Sequence, residues 1–328
     1  MKKTLIALAA IAAVGSASAQ WTVGGKLDVG MVQVAGDSNP DQTATKNKDF
    51  RLVSGGWEAS RIVLKGDTDL GSGLKGSAYL EGRVGDDLNT ASFSGFGRQA
   101  FVSVAGSFGK IDAGTMWSPI DTAVYYADAM EYNGFTVMNN GFWNSDTGNG
   151  NAAGAVAGAI QYTSPEMSGI TVQLMAAPNS GTADYQKYMS GGINYANGPL
   201  LINAAMQTYK TAASKTSTST VIAAQYNMGA ATLIGGYASN DTGTVTESGF
   251  NVGVKVPMGA DYIAAAYSSY DRGTVAGGTM TGFGLNYIKP LGKTTLGYLG
   301  YKSVNAQKYN KQGTDTITTT GAGLRYNF

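Results

Sequence analysis

From Trp21 onward, apolar and polar residues alternate with a period of two. In "WTVGGKLDVGM", Trp21, Val23, Leu27, Val29 and Met31 fall on one face, and Thr22, Lys26 and Asp28 fall on the other. "SRIVLKG" sets Ile62 and Leu64 against Arg61 and Lys65. "KGSAYLEGRV" sets Ala78, Leu80 and Val84 against Lys75, Glu81 and Arg83. The last segment opposes Ala322, Leu324, Tyr326 and Phe328 to Gly321, Gly323, Arg325 and Asn327. This period marks strands with one apolar and one polar face. Hardly any stretch carries a helical repeat.

The connections alternate short and long. Seven tight turn signals are present: "DLGSG" (69–73), "GSFG" (106–109), "SPEMSG" (164–169), "NGP" (197–199), "MGA" (228–230), "PMGA" (257–260) and "KPLGK" (289–293). Polar loops lie between them near 35–50, 85–95, 117–155, 178–186, 211–217, 240–246, 271–278 and 304–314. Eight loops and seven turns join sixteen strands and leave both chain ends on the turn side. A soluble sandwich or propeller would also alternate along its strands. It would not explain the regular exchange of short and long connections, nor so many polar residues on the face that should be buried. Strands of roughly ten residues, with periplasmic turns and extracellular loops, are the pattern of an outer-membrane barrel. Lipid offers the backbone no hydrogen bonds, so such strands must close into a ring. A ring of about sixteen leaves an aqueous lumen. The expected fold is therefore all-β, a 16-stranded antiparallel transmembrane β-barrel spanning residues 20–328 as one domain.

Composition narrows the function. Residues 1–19 read as a secretory signal peptide, with basic Lys2 and Lys3, the apolar run "TLIALAAIAAV" and the small-residue site "ASA". Without Lys2 and Lys3 the chain carries 21 basic residues (23 less 2) against 22 acidic ones, a near balance that gives no nucleic-acid footprint. There is no cysteine for a disulfide framework and no histidine for the commonest general base or zinc sites. No catalytic residue, metal or cofactor is expected. "GSGLKG" (71–76) fits a dinucleotide fingerprint, but a strand follows it rather than a helix, so it is read as a hairpin turn. "DTGNGN" (146–151) lacks the spacing and closing Glu of a calcium loop.

Three segments, "ASRIVLKGDTDLGSGLKGSAYLEGRV" (59–84), "GRQAFVSVAGSFGKIDAGTMWSPID" (97–121) and the closing "GAGLRYNF", occur in this order after a leader. Together they resemble the general bacterial porins, trimeric sixteen-stranded proteins of the Gram-negative outer membrane, and most of all the beta-proteobacterial branch. The resemblance covers the whole mature chain. It implies a homotrimer in outer-membrane lipid and lipopolysaccharide that passes small hydrophilic solutes and ions. It also implies a final aromatic strand, with Tyr326 and Phe328, read by the barrel-assembly machinery. Pairing of that strand with the first, around Trp21 to Met31, would close the ring.

In porins the third loop folds into the barrel, and here that loop is the longest, Trp117 to Ala155. It carries Asp121, Asp128, Glu131 and Asp146, with no basic residue between Lys110 and Lys187. The resemblance makes Asp121, Asp128 and Glu131 the acidic side of a constriction. Lys26, Arg61 and Arg98, which have lumen parity, form its basic side, and Glu81 and Arg83 extend the rows. Opposed charges across a narrow aqueous pore orient polar solutes and set ion preference. Lys65 and Lys75 read as solvated wall residues. Thr115 and Thr163 stand where many or some relatives carry a further arginine, so the basic row is thinner than in those proteins. Trp21, Tyr287, Tyr298, Tyr326 and Phe328 suit interfacial girdles. Tyr125, Tyr126, Phe135, Phe142 and Trp143 would wedge the third loop against the wall or, alternatively, stack sugars. Other readings of the whole chain are a solute-specific porin for sugars or organic acids and, more remotely, an enzymatic or structural barrel. Known enzyme barrels rely on histidine.

Overall fold

A computed structural model describes residues 20–35, 49–85, 93, 95–138, 155–179, 186–210, 215–271, 279–305 and 316–328. The expected leader and, in the third loop, Phe142, Trp143, Asp146 and "DTGNGN" lie outside the described residues. The strands are β1 Gln20–Ala35, β2 Arg51–Ser54, β3 Arg61–Gly71, β4 Leu74–Arg83, β5 Gln99–Gly106, β6 Gly109–Trp117, β7 Ala155–Thr163, β8 Ile170–Asn179 and β9 Gln186–Asn197. They continue as β10 Leu200–Lys210, β11 Thr216–Asn227, β12 Thr232–Asp241, β13 Thr246–Met258, β14 Asp261–Asp271, β15 Thr279–Pro290, β16 Thr295–Asn305 and β17 Thr316–Asn327. One helix, α1 (Pro119–Ala127), interrupts the series after β6.

Apart from β2 and β3, consecutive strands pair antiparallel, and β1 pairs with β17 from Lys26↔Asn327 to Ala35↔Thr318, which closes the ring. β2 and β3 both pair with β1, one above the other, and are two pieces of a single stave. The barrel therefore has sixteen staves built from seventeen strands. All seven short connections fall at the expected turns. In the first of them Gly71, Ser72 and Gly73 take φ of 80°, 54° and 79°, the left-handed values that glycine adopts without a Cβ penalty.

The wall is inverted relative to a soluble protein. Val23, Val102 and Met189 point outward and are 67%, 60% and 62% exposed, while Gln207, Ser217 and Asn286 are buried on the inner face. An apolar exterior around a polar interior suits lipid outside and water within. The seam follows the same parity. Leu324, Tyr326 and Phe328 face outward, and the Phe328 backbone exchanges hydrogen bonds with Gly25 (3.1 and 3.0 Å). The Phe328 ring lies over Gly25, where a Cβ would come within 2.8 Å of Cζ.

Tyr298 departs from the girdle reading. Leu299 and Tyr301 take the outward positions of β16, so Tyr298 is buried inside the barrel. Its hydroxyl donates to Asp28 Oδ1 (2.7 Å) and its ring packs 5.4 Å from Trp57.

Candidate pore constriction

The third loop re-enters the barrel directly after β6. Ser118 caps α1, its side chain accepting from the Asp121 N–H (3.4 Å), and Pro119 supplies the pre-set φ of a first helical residue. Ile120, Ala123, Val124 and Ala127 form the buried stripe and pack on Ala205, Val221, Ala223 and Ala238 of β10, β11 and β12. The carbonyls at the helix end, which lack intrahelical partners, are taken up by the wall. Gln225 Nε2 donates to the Tyr126 carbonyl (2.9 Å) and Asn251 Nδ2 to the Ala127 carbonyl (2.7 Å).

Beyond α1 the chain runs round the inner wall toward β17. Asp128 organises the turn: Oδ1 accepts from Met130 N–H and Oδ2 from Tyr132 N–H, both at 2.9 Å. The loop then follows a track of glycines. A Cβ at Gly236, Gly253 or Gly284 would lie 2.5 Å from Ala127 Cβ, Ala129 Cβ or Met130 Cε respectively, and one at Gly300 would penetrate the Phe135 ring. Phe135 is completely buried, as a wedge against the wall. Gly134 N–H donates to the Trp57 carbonyl (2.8 Å), so the loop comes to rest on the insertion between β2 and β3.

Most of the lumen's charges gather where the loop ends and on the arc beyond it. Glu58, on that insertion, accepts through Oε2 from Lys26 Nζ, from Arg325 (2.8 Å) and from Arg61 (3.4 Å). Glu81 on β4 accepts from Arg98 Nε (2.6 Å), Arg61 (3.3 Å), the Tyr79 hydroxyl (2.7 Å) and Gln99 (3.2 Å). The Arg98 guanidinium also lies 5.3 Å from the Trp117 ring centre. A cavity of about 460 Å³ opens beside this network, lined among others by Lys26, Arg61, Lys65, Tyr79 and Glu81.

The residues singled out from sequence separate into groups. Lys26, Arg61, Arg98 and Glu81 come together in one network, with Arg83 opposite Arg61 in register and exposed. Glu131 is on the loop and pairs with Lys255 Nζ of β13 (2.7 Å), while the Tyr262 hydroxyl donates to its other oxygen (3.3 Å). Asp121 is half-buried in the first turn of α1. Removal from bulk water pushes its carboxyl up to about 7, against the pull of Arg98. Asp128 is set apart from the other two acids: it is 1% exposed and its oxygens hold the loop's own backbone. Burial raises its carboxyl as well, in spite of those hydrogen bonds. Tyr125 is 46% exposed, and burial, with Glu131 and Glu58 nearby, pushes its phenol up to about 12.

Four participants escaped the sequence reading. Arg325 has lumen parity in a strand whose alternation is plain, and that signal was sufficient to find it. Lys255 likewise sits on a regular strand. Asp28 was placed on the polar face, but nothing local shows that the Trp57 and Glu58 N–H groups will converge on its carboxylate (3.2 and 2.9 Å). Glu58 lies in "SGGWEAS", where the alternation fails and parity assigns no face.

A model of the family described as Gram-negative porin matches residues 4–327. The outer membrane porin protein 32 of Delftia acidovorans is 34% identical over 248 residues, 72% of this chain and 68% of that protein. The major outer membrane protein P.IB of Neisseria gonorrhoeae is 30% identical over 211 residues, 60% of this chain and 54% of the relative. Among solved structures, the anion-selective porin from Comamonas acidovorans superposes with a TM-score of 0.80 at 25% identity, covering 95% of this chain and 100% of the other. With the closed sixteen-stave wall and its inverted polarity, these matches show that the chain belongs to the Gram-negative porins: it is an outer-membrane β-barrel protein and not an enzyme.

Proposed function

We propose that the barrel is a water-filled pore for passive diffusion of small hydrophilic solutes and ions. Its constriction lies between Asp121 and Glu131 of the third loop and Lys26, Arg61 and Arg98 of the wall. The observation that carries this reading is the asymmetry of the lumen: the loop covers one arc of wall, and most of the charged side chains gather beyond its edge. Lys26, Arg61 and Arg98, joined by Arg325 from the adjoining last strand, are set against Glu58 and Glu81 there, and the loop adds Asp121 and Glu131, the latter paired with Lys255 of the roofed wall. Charges this close to balance give a weak preference, on the anion side because cations outnumber carboxylates on the wall. The Comamonas protein described as anion-selective supports that sign. Glu81 and Arg83 continue the rows along β4.

The same reading makes residues 1–19 a leader removed on export and 20–328 one barrel that assembles as a homotrimer in lipid and lipopolysaccharide. Tyr326 and Phe328, at the outer edge of the seam, are the part offered to the barrel-assembly machinery. Planar-bilayer recording of the purified protein tests the function. Stable conductance steps grouped in threes are expected, and a folded, inserted preparation without steps would refute a pore.

A further inference from the structure

The second stave is longer than its ladder requires. Pairing of β1 with β2 ends at Val29↔Ser54, and pairing with β3 begins at Lys26↔Arg61. Between these points β1 supplies two residues, 27 and 28, and the second stave supplies six, 55–60. An ordinary bulge adds only about one residue and already leaves backbone groups unpaired. Here Asp28 rehouses them. Its carbonyl accepts from Gly55 N–H (2.8 Å) and the Ser60 hydroxyl (3.2 Å), and its carboxylate accepts from Trp57 and Glu58 N–H. Trp57 is buried against Tyr298.

This anchoring uses only the backbone of Glu58. Its side chain leaves the insertion to meet Lys26 of β1, Arg61 of β3 and Arg325 of β17 on a single oxygen. Glu81, on a regular strand, reaches only Arg61 and Arg98 of the cationic row. The extra length of chain thus delivers a carboxylate to a point where cations of three strands converge.

We infer that Glu58 is a specificity-determining residue of the pore. It is a carboxylate carried into the lumen on a four-residue insertion, where it offsets Lys26, Arg61 and Arg325 and holds the channel's anion preference low. The inference rests on the constriction proposed above. A unit charge felt across about 7 Å of water changes an ion's energy by about RT, in opposite senses for anions and cations. With the roughly 10 Å screening length at 0.1 M salt, removing that charge raises the anion-to-cation permeability ratio about threefold.

The test is reversal potential across a KCl gradient in planar bilayers, using the full chain with Glu58→Gln. The ratio should rise about threefold, and adding Lys26→Gln should bring it back toward wild type. Because the chain has no cysteine, Glu58→Cys gives a second route. Labelling with a sulfonate-bearing methanethiosulfonate should restore the wild-type ratio, and an ammonium-bearing reagent should raise it further. The inference is overturned if inserted Glu58→Gln channels keep the wild-type ratio. It is equally overturned if the double variant moves further from wild type, or if complete labelling with either sign leaves the ratio unmoved. Arg98→Gln separates the two readings. If it shifts the ratio toward cations while Glu58 changes do nothing, only this inference falls; if it too is silent, the constriction falls with it.

Discussion

Two arcs of one inner wall are built on opposite rules. From β9 to β17 the loop-facing positions are small, with glycine at 236, 253, 284 and 300, and the third loop roofs them. From β1 to β5 the inward positions include the long charged side chains of Lys26, Arg61 and Glu81, and the described loop meets this arc at its far end, where Gly134 N–H bonds the Trp57 carbonyl. The first arc behaves like the inside of a soluble protein, where close approach of backbones leaves no space for a Cβ. The second behaves like a wetted surface, where charge is tolerated because water and counter-charges are present. The difference shows how one loop partitions a symmetrical ring into a packed side and an open side. Lys255 and Arg325 lie on strands of the roofed arc and pair with acids at the edges of the roof, Glu131 on the loop and Glu58 on the insertion.

The most disruptive way to break this partition is to unseat the loop. Phe135→Ala removes a fully buried ring from between the loop and Gly300, a change that typically costs about 3–5 kcal/mol. Limited proteolysis should then cut within the third loop, and open-channel current should become noisy. Gly300→Leu, which fills the same place from the wall side, should copy it. If both variants resist protease as wild type does, the glycine track is not the seat.

A smaller effect is expected at Asp128. Asp128→Asn keeps one acceptor and weakens two charge-assisted hydrogen bonds, worth about 1–2 kcal/mol. It should increase loop cleavage without moving the reversal potential, the reverse of what Asp121→Asn should do. A change of ion preference in Asp128→Asn would place that carboxylate in the pore after all.

The mildest expected effect is that of pH. Asp121, with its carboxyl raised to about 7, is mostly ionised at pH 8 and mostly neutral at pH 6. Acidification over that range therefore removes a negative charge from the loop side and shifts the preference toward anions, by less than about threefold for one screened charge. No histidine competes in this window. Asp121→Asn should flatten the profile, and an equal response in that variant would assign the titration elsewhere.

Much of this architecture was legible in the sequence because lipid imposes strict alternation. The parity that put Val29 outside and Lys26 inside holds over nearly every stave, and the turn signals located all seven hairpins. Arg61 and Glu81 were found by the same parity, but the lumen parity expected of Arg98 was wrong. Arg98 shares the count of outward Val102 and Val104, and it reaches Glu81 because it lies just ahead of β5, outside the pleat. The sequence was opaque wherever the chain leaves the ladder. "SGGWEAS" has no period, so Glu58 had no face. Tyr298 was misplaced because an aromatic near a strand end resembles a girdle residue until its parity with Leu299 is followed. Asp128 has the composition of a lining acid, but the N–H groups that occupy it come from its own turn, a local geometry that residue type does not reveal. The footprint of the loop was written in the glycines, but without knowing the loop's path they read only as a compositional excess.

The most direct test of the opposed arcs is reversal potential in two paired variants, Arg61→Gln with Arg98→Gln and Asp121→Asn with Glu131→Gln. The first pair should displace the potential toward cation preference and the second toward anion preference. Stable channels whose reversal potential stays at the wild-type value in both pairs would contradict the account.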